Sequence, residues 1–273
     1  MKIAVAGQIA EGRGWLALRA LRAPQWVHFV VLPAATARTL SDLAGAAHGM
    51  AVAVLALGYA YGLNALADRP TDLDRRKNPL CGVDAPSSLV KILAAMVLLA
   101  LGLGWLAGPL SLAATLASLA ASTLYSVGPR LKDLPILGTL LNAVIFAPLL
   151  VVSPTGITPE LAVVAIVFVA LVLQNQLLHE RADHDEDARA GTLTTARMLG
   201  ARATHVGVAA LGLVGAATAA WLSRSRLEAL VAVLALALVS VVVLVGQHSA
   251  AARRVSHRRW AVLAGAMIFV VTR

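Results

Sequence analysis

Cysteine is almost missing from this 273-residue chain, and the lone Cys81 excludes an intrachain disulfide and any cysteine-based zinc site. Charge is scarce as well. Asp, Glu, Lys and Arg make up 14% of the residues, against about 25% in soluble domains. Hydrophobic residues fill 59% of the chain, so lipid is expected to replace water over much of the surface. Acids are fewer than bases, 14 against 23, which leaves a net charge of +9. In a soluble protein that excess suggests nucleic acid. Here topology explains it without a nucleic-acid partner, because basic residues gather on the cytoplasmic side of membrane proteins. Residues 1–23 lack an unbroken apolar core, being interrupted by Lys2, Glu11, Arg13, Arg19 and Arg22. They read as an amphipathic lead-in with Trp15 and Leu16 on its apolar side, not as a cleaved signal peptide.

What is present in quantity is apolar runs. A membrane-crossing helix needs about 20 apolar residues, and the runs place spans near 24–42, 45–66, 88–107, 110–128, 135–153, 159–179, 204–222, 227–247 and 258–272. The fold expected is therefore all-α and polytopic, about nine transmembrane helices in one domain over 1–273. The first span is the least regular, with Arg38 near its end, and the last is the shortest. If the N-terminus is cytoplasmic, 19 of the 23 Lys and Arg residues fall on that side, and only Arg38, Arg224, Arg226 and Arg273 fall outside. A wrong span count would scramble that split, so the N-terminus is expected inside and the C-terminus outside.

Eleven of the 14 acids fall on the same side; Asp42, Glu160 and Glu228 are the exceptions. Acids contribute little to topology, so their gathering needs another cause. Two groups hold most of them. Asn64, Asp68 and Asp72 follow one another at i, i+4, i+8, which on a helix puts three oxygen donors on one face. Pro70 falls in this stretch and can end or kink the helix. After the sixth span, Asp183 and Asp187 repeat the i, i+4 spacing, with Glu180 one turn before and His179 where Asn64 stands in the first group. A single charge run after a span is ordinarily a solvated loop. Two with the same spacing, on one side and at repeat-related positions, argue for a site. Like charges at this spacing repel, and acids near a membrane are costly and usually functional. A hard cation relieves both costs, and an all-oxygen donor set favours Mg2+ or Ca2+ over zinc. Asp74, Asp185 and Glu186 read as solvated, His184 as a surface histidine, and Gly58 with Gly62 as a small-residue pair for close helix packing.

Mg2+ is commonly held by one or two carboxylates together with substrate phosphates. Two facing acidic groups therefore suit a diphosphate bridged by metal, with Lys77, Arg130, Lys132 and Arg181 available to phosphate oxygens. An apolar interior below would take a hydrocarbon tail, so the expected substrate is a lipid diphosphate. If it is allylic, departure of pyrophosphate leaves a carbocation that aromatic faces stabilise. The twelve aromatics offer Tyr59, Tyr61, Tyr125, Phe29 and Phe146, Tyr125 above all because it lies beside the basic pair. A cation transporter is the reading from another class, but transporter sites usually lie near the membrane midplane.

These residues resemble the UbiA superfamily of intramembrane prenyltransferases. Asn64-x3-Asp68-x3-Asp72, with Arg69 after the second position, is similar to its first motif, and Asp183-x3-Asp187 to its second. Gly191-Thr192-Leu193-Thr194-Thr195-Ala196, then Leu199-Gly200, resembles its Gly-x-x-Thr-x-x-x-x-Leu-Gly tail, one residue shorter. Leu124-Tyr125-Ser126 with Arg130-Leu131-Lys132, and Arg22-Ala23-Pro24-Gln25-Trp26, resemble two further elements. The resemblance implies nine helices around a lipid-open cavity, Mg2+ held by Asn64, Asp68, Asp72, Asp183 and Asp187 with Glu180 a sixth candidate, and diphosphate contacts from Lys77, Arg130, Lys132 and Tyr125. It implies ionisation of a prenyl diphosphate and transfer of the isoprenyl group to an acceptor, within a multi-pass protein of a bacterial inner membrane whose active site is cytoplasmic. Asn64-Ala65, where many members have Asn-Asp, and Lys77-Asn78-Pro79-Leu80-Cys81-Gly82, in place of a segment led by Arg-Pro, depart from the pattern. They leave the acceptor open, and with it a membrane terpene cyclase that uses none.

Overall fold

The computed structural model describes residues 13–36, 42–72, 74–153, 157–245 and 249–271. Lys2 and Glu11 of the lead-in, Arg38 near the end of the first span, 246–247 at the end of the eighth, and Thr272 and Arg273 lie outside the described residues. Within them the structure is helical, with no strand. It comprises α1 (Arg13–Ala20), α2 (Leu43–Asp68), α3 (Ser87–Ala107), α4 (Pro109–Ser126), α5 (Leu137–Phe146), α6 (Pro159–Ala182), α7 (His184–Arg189), α8 (Thr195–Leu222), α9 (Arg226–Val245) and α10 (Ala250–Val271). Among the described residues five helices are long and apolar enough to cross a membrane: α2, α3, α6, α8 and α9.

Local chemistry sets the helix ends. Thr158 caps α6, its hydroxyl accepting from Leu161 N at 3.3 Å, with Pro159 in the first turn. Ser225 and Glu228 cap α9 reciprocally: Ser225 Oγ accepts from Glu228 N at 3.1 Å, and the Glu228 carboxylate from Arg224 N at 3.0 Å. Ser249 accepts from Ala252 N at 3.1 Å, which starts α10 eight residues before the apolar run expected from 258. Its first turns therefore carry arginines. The first expected span also differs. Val27–Thr36 is a ten-residue 3-10 helix with Pro33 inside it, since proline removes the donor that an α-helix needs there. At about 2 Å per residue it is roughly 20 Å long. Gly200, at φ 77°, breaks α8 near its start.

The helices pack as two groups. Val27–Thr36, α3 and α4 lie against α2, and α5 against α4. In the second group α6 packs on α8 and α10, and α9 on both α8 and α10. One apolar core, including Trp26, Leu57 and Phe146, fills the first group; another, including Val163, Leu236 and Ile268, fills the second. Large apolar side chains also face outward, Trp221 at 82% exposure and Leu106 at 77%, as lipid contact requires. The hydroxyls of α4 turn inward and bond backbone: Ser111 to Val152 O at 2.6 Å and Ser118 to Ile145 O at 2.7 Å. That serine-rich face lowers the helix's hydropathy while serving the close packing found between membrane helices.

Gly58 and Gly62 face Met96 and Leu93 of α3, so the small pair does sit at a helix contact. Gly49 is tighter: a Cβ there would lie 2.6 Å from Pro33 Cβ and 3.3 Å from Ser153 Cα. Gly49→Ala is expected to lower thermal stability, since a proline ring and backbone cannot yield cheaply; overpacking costs about 1–3 kcal/mol. Gly58→Ala meets only the mobile end of Met96 and should be near neutral, because alanine is the better helix former. Thermal unfolding of the two variants in detergent checks the contrast.

Candidate active site

The two acidic groups meet in a cavity of about 370 Å3 at one end of the bundle. α2 ends at Asp68, but the turn continues: Thr71 N and Asp72 N donate to Asp68 O at 3.0 and 2.8 Å. Pro70, without an N–H, ends the regular helix and leaves Asp72 one turn beyond Asp68. On the opposite wall, α6 carries Gln176, His179, Glu180 and Asp183 along one stripe into the cavity. The short α7 then brings Asp187, its N–H donating to Asp183 O at 2.9 Å.

The expected cations largely lie where the acids are. Lys132 Nζ is paired with both oxygens of Asp68 and donates to Asn64 Oδ1 at 3.0 Å. Arg130 reaches Asp68 at 3.2 Å and Asp133 at 2.9 Å. Lys77 crosses the cavity, 3.2 Å from Asp183 and paired also with Glu186. The Tyr125 hydroxyl bonds Gln176, and its ring centroid lies 6.0 Å from Lys132 Nζ.

Burial, and then the Asp183 charge, push the Asp187 carboxyl up to about 6. Burial also raises Asp72, with the Asp68 charge adding to it, although a hydrogen bond from Asn78 opposes both. Burial disfavours the charged form of Asp183 too, but there the His179 ring, 3.1 Å away, and Lys77 outweigh it and hold the carboxyl below its ordinary value. Lys132 is lowered by burial, against the pull of Asp68. At neutral pH the Asp187 carboxyl is therefore still mostly ionised, with a protonated fraction that grows as pH falls toward 6.

Several placements differ from expectation. Arg181 does not line the cavity, because it lies off the stripe of α6 that does; its charge acts instead on His205 of α8. Glu186 is not simply solvated: it lines the cavity and pairs with Lys77. Asp74 and Asp185 stay outside, Asp74 accepting from Arg76 N at 2.8 Å. His184 is half-buried, not on the open surface. Phe29, Phe146, Tyr59 and Tyr61 do not line this cavity either. The Phe29 ring packs tilted against Phe146, centroids 4.6 Å apart, and Tyr59 bonds Thr123 at 2.8 Å.

Glu180 lines the cavity but is 7% exposed, and its oxygens are taken by protein donors. Thr139 Oγ1 donates at 2.8 Å, Gln176 Nε2 at 3.1 Å and Ala196 N at 3.0 Å. This carboxylate ties α6 to α5 and to the start of α8. Sequence reasoning also missed Asn78, which is fully buried. Its Nδ2 donates to Asp72 Oδ2 at 2.7 Å and to Ala65 O at 2.9 Å, and its Oδ1 accepts from Leu80 N. Its segment stood out only as a departure from the family pattern, which gave Asn78 itself no role. Arg22, Arg254 and Arg258 also line the cavity; the i, i+4 spacing of the last two was a signal that counting them as topological charge passed over.

A helical bundle with an outward apolar surface and a carboxylate-lined chamber at one end defines a class of membrane protein. The UbiA prenyltransferase family model matches residues 6–270, and the chain belongs to that family. With its long apolar helices, it is an integral membrane protein. Among solved structures it resembles a UbiA homolog from Archaeoglobus fulgidus bound to DMAPP and Mg2+, at 18% identity and a TM-score of 0.72, over 94% of this chain and 98% of the other. The same homolog bound to GPP and Mg2+ gives 17% and 0.73, over 94% and 99%. A digeranylgeranylglyceryl phosphate synthase gives 11% and 0.73, over 95% and 98%. No sequence among the curated proteins matches the chain.

Glu180→Ala is expected to destabilise the metal-free protein by several degrees in Tm, since an unmet buried donor costs about 1–3 kcal/mol. Thermal unfolding in EDTA is the measurement; a variant as stable as the parent there would mean that the carboxylate is reserved for a cation.

Proposed function

We propose that the chain transfers an isoprenyl group from a prenyl diphosphate to an acceptor within the membrane, with Mg2+ as cofactor. One observation carries this reading: the two acidic groups, far apart in sequence, share one cavity, and Lys77 from the loop after the first lies against Asp183 of the second. The fold is shared with homologs bound to DMAPP or GPP and Mg2+, which supports it.

Asn64, Asp68 and Asp72 on one wall, and Asp183 and Asp187 on the other, would hold Mg2+. The donor set fits, since it is all oxygen. Among the described residues no three His, Cys, Asp or Glu groups gather tightly enough to hold a cation by themselves. That suits an ion whose shell substrate phosphates complete. When bound, Mg2+ supplies positive charge opposite the departing pyrophosphate. Arg130 and Lys132 beside Asp68, and Lys77 beside Asp183, are placed to donate to phosphate oxygens. Tyr125 offers an aromatic face next to them, where charge develops on the prenyl carbon. Glu180 and Asn78 hold the walls without touching substrate. The topology that goes with this reading is nine spans in one domain over 1–273, N-terminus and site cytoplasmic, in a bacterial inner membrane.

The test is incubation of the purified protein in nanodiscs with geranyl, farnesyl and geranylgeranyl diphosphate, Mg2+ and candidate acceptors. Pyrophosphate release is expected, and it should stop in EDTA. Asp68→Ala and Asp187→Ala should lower turnover by about a hundredfold or more, the scale set by removing a group that stabilises developing charge. Asp74→Ala should stay within about twofold, because Asp74 lies outside the cavity. Release without acceptor, giving a cyclic product, would reassign the chain as a terpene cyclase; no release with any prenyl diphosphate would overturn both readings.

A further inference from the structure

Asp187 is not held in place by its helix alone. It stands on α7, which has six residues and ends at Arg189. A helix that short is marginal without support from outside. Past α7 the chain turns at Gly191 and runs without regular structure into α8. Thr192 N donates back to Asp187 O at 2.9 Å, and Thr194 Oγ1 donates to Asp187 Oδ2 at 3.4 Å. Asp187, Ala190, Thr192 and Thr194 all line the cavity, so this turn is one of its walls.

Arg197 braces that wall from behind and does not itself line the cavity. Its Nη1 donates to Asp187 O at 3.2 Å and also to Thr192 O. A single guanidinium nitrogen thereby ties the two ends of the turn together. Main-chain carbonyls away from water need donors, and a charged donor is the strongest kind. Arg197 is itself firmly placed. It lies on the first turn of α8, residues 195–199, set off from the rest of the helix at Gly200. That turn is tied to α6 where Ala196 N donates to Glu180 Oε2 at 3.0 Å. Direct contacts thus run from α6 through Glu180, the start of α8 and Arg197 to the main chain of Asp187.

We propose that Arg197 is the positioning residue of the second acidic group: it fixes the Asp187 main chain and so aims the carboxylate at the divalent cation. This rests on the prenyl-transfer reading above, in which Asp187 is a Mg2+ ligand. Arginine suits the task because its donors form a rigid planar fork that never loses its charge, whereas lysine offers a point charge on a flexible stem. Groups that orient a metal ligand change metal affinity by about 10–100-fold when they are removed.

The full-length protein in nanodiscs is measured first in EDTA. Hydrogen exchange over residues 187–193 reports the turn, since the N–H groups of Gly191 and Thr192 are bonded within it. Arg197→Gln should speed exchange there at least tenfold and leave residues 161–179 of α6 unchanged. Arg197→Lys, which keeps a donor, should fall between that variant and the parent. The second measurement is Mg2+-dependent binding of farnesyl S-thiolodiphosphate, an analogue that resists ionisation. Half-saturating Mg2+ should rise about 10–100-fold in Arg197→Gln and less in Arg197→Lys. Saturating Mg2+ should restore binding to within threefold of the parent. Arg202→Gln, an exposed position on the same helix, should change neither measurement. A merely structural role would lower the folded fraction, which Mg2+ would not restore. Unchanged exchange in both variants overturns the proposal, and so does a loosened turn with an unchanged Mg2+ requirement. Should Arg197→Gln fail to fold, Arg197→Lys decides by the same two criteria. A parent that binds no analogue at any Mg2+ concentration overturns the prenyl-transfer reading, and the proposal with it.

Discussion

Carboxylates crowded at the ends of two apolar helices repel one another, and partial burial adds to the cost. The loops beside them answer with positive charge. Lys132 and Arg130, on the stretch after α4, meet Asp68; Lys77, on the loop after α2, meets Asp183 and Glu186. Apart from the Arg130–Asp133 pair, each of these contacts joins a cation to an acid on a different element. Neutralising the acids therefore also draws the ends of α2, α4 and α6 together around one space. The cavity follows from that pairing, not from any one helix.

A second layer of polar contacts keeps the walls in place. Asn78 fixes Asp72 to the end of α2 through Ala65, and Glu180 clamps α6 to α5 and α8 through Thr139 and Ala196. Thr139 in turn bonds Thr195 at 2.6 Å, and Thr195 accepts from Ile136 N at 2.7 Å. Buried polar groups of this kind are worth having only when every member is met. Here the members come from three helices, so each bond also sets a helix position. The Gly-x-x-Thr tail belongs to the same layer: Gly191, at φ 73°, turns the chain so that Thr194 reaches Asp187 at 3.4 Å.

Much of this was legible in advance, for physical reasons. Apolar runs locate α2 to α6, α9 and the C-terminal end of α8 closely, because lipid imposes length and composition together; the charged α7 and the start of α8 lay outside them. The paired i, i+4 acids pointed to one chamber, because spacing fixes which side chains share a face. Legibility failed where a residue's role is set by its neighbours in space. Glu180 looks like a ligand in sequence and is a clamp in the structure, since its donors come from α5 and α8. Arg181 looks like a phosphate contact, but the stripe of α6 that faces the cavity passes it by. Asn78 lay in a segment that departs from the family pattern, but an asparagine in a turn shows no role until its partners are known. The first span read as irregular because of Arg38, whereas the 3-10 form lies around Pro33, in a segment packed against α2.

The ion pairs carry one further consequence. In the cation-free chamber Lys132 serves as the counter-ion of Asp68, and Lys77 as that of Asp183. A lysine so engaged has little to offer a phosphate, and a carboxylate so engaged has fewer oxygens to offer a cation. On the prenyl-transfer reading, a divalent cation held by these carboxylates would free the ammonium groups for phosphate oxygens, and by linkage the binding of either partner would favour the other.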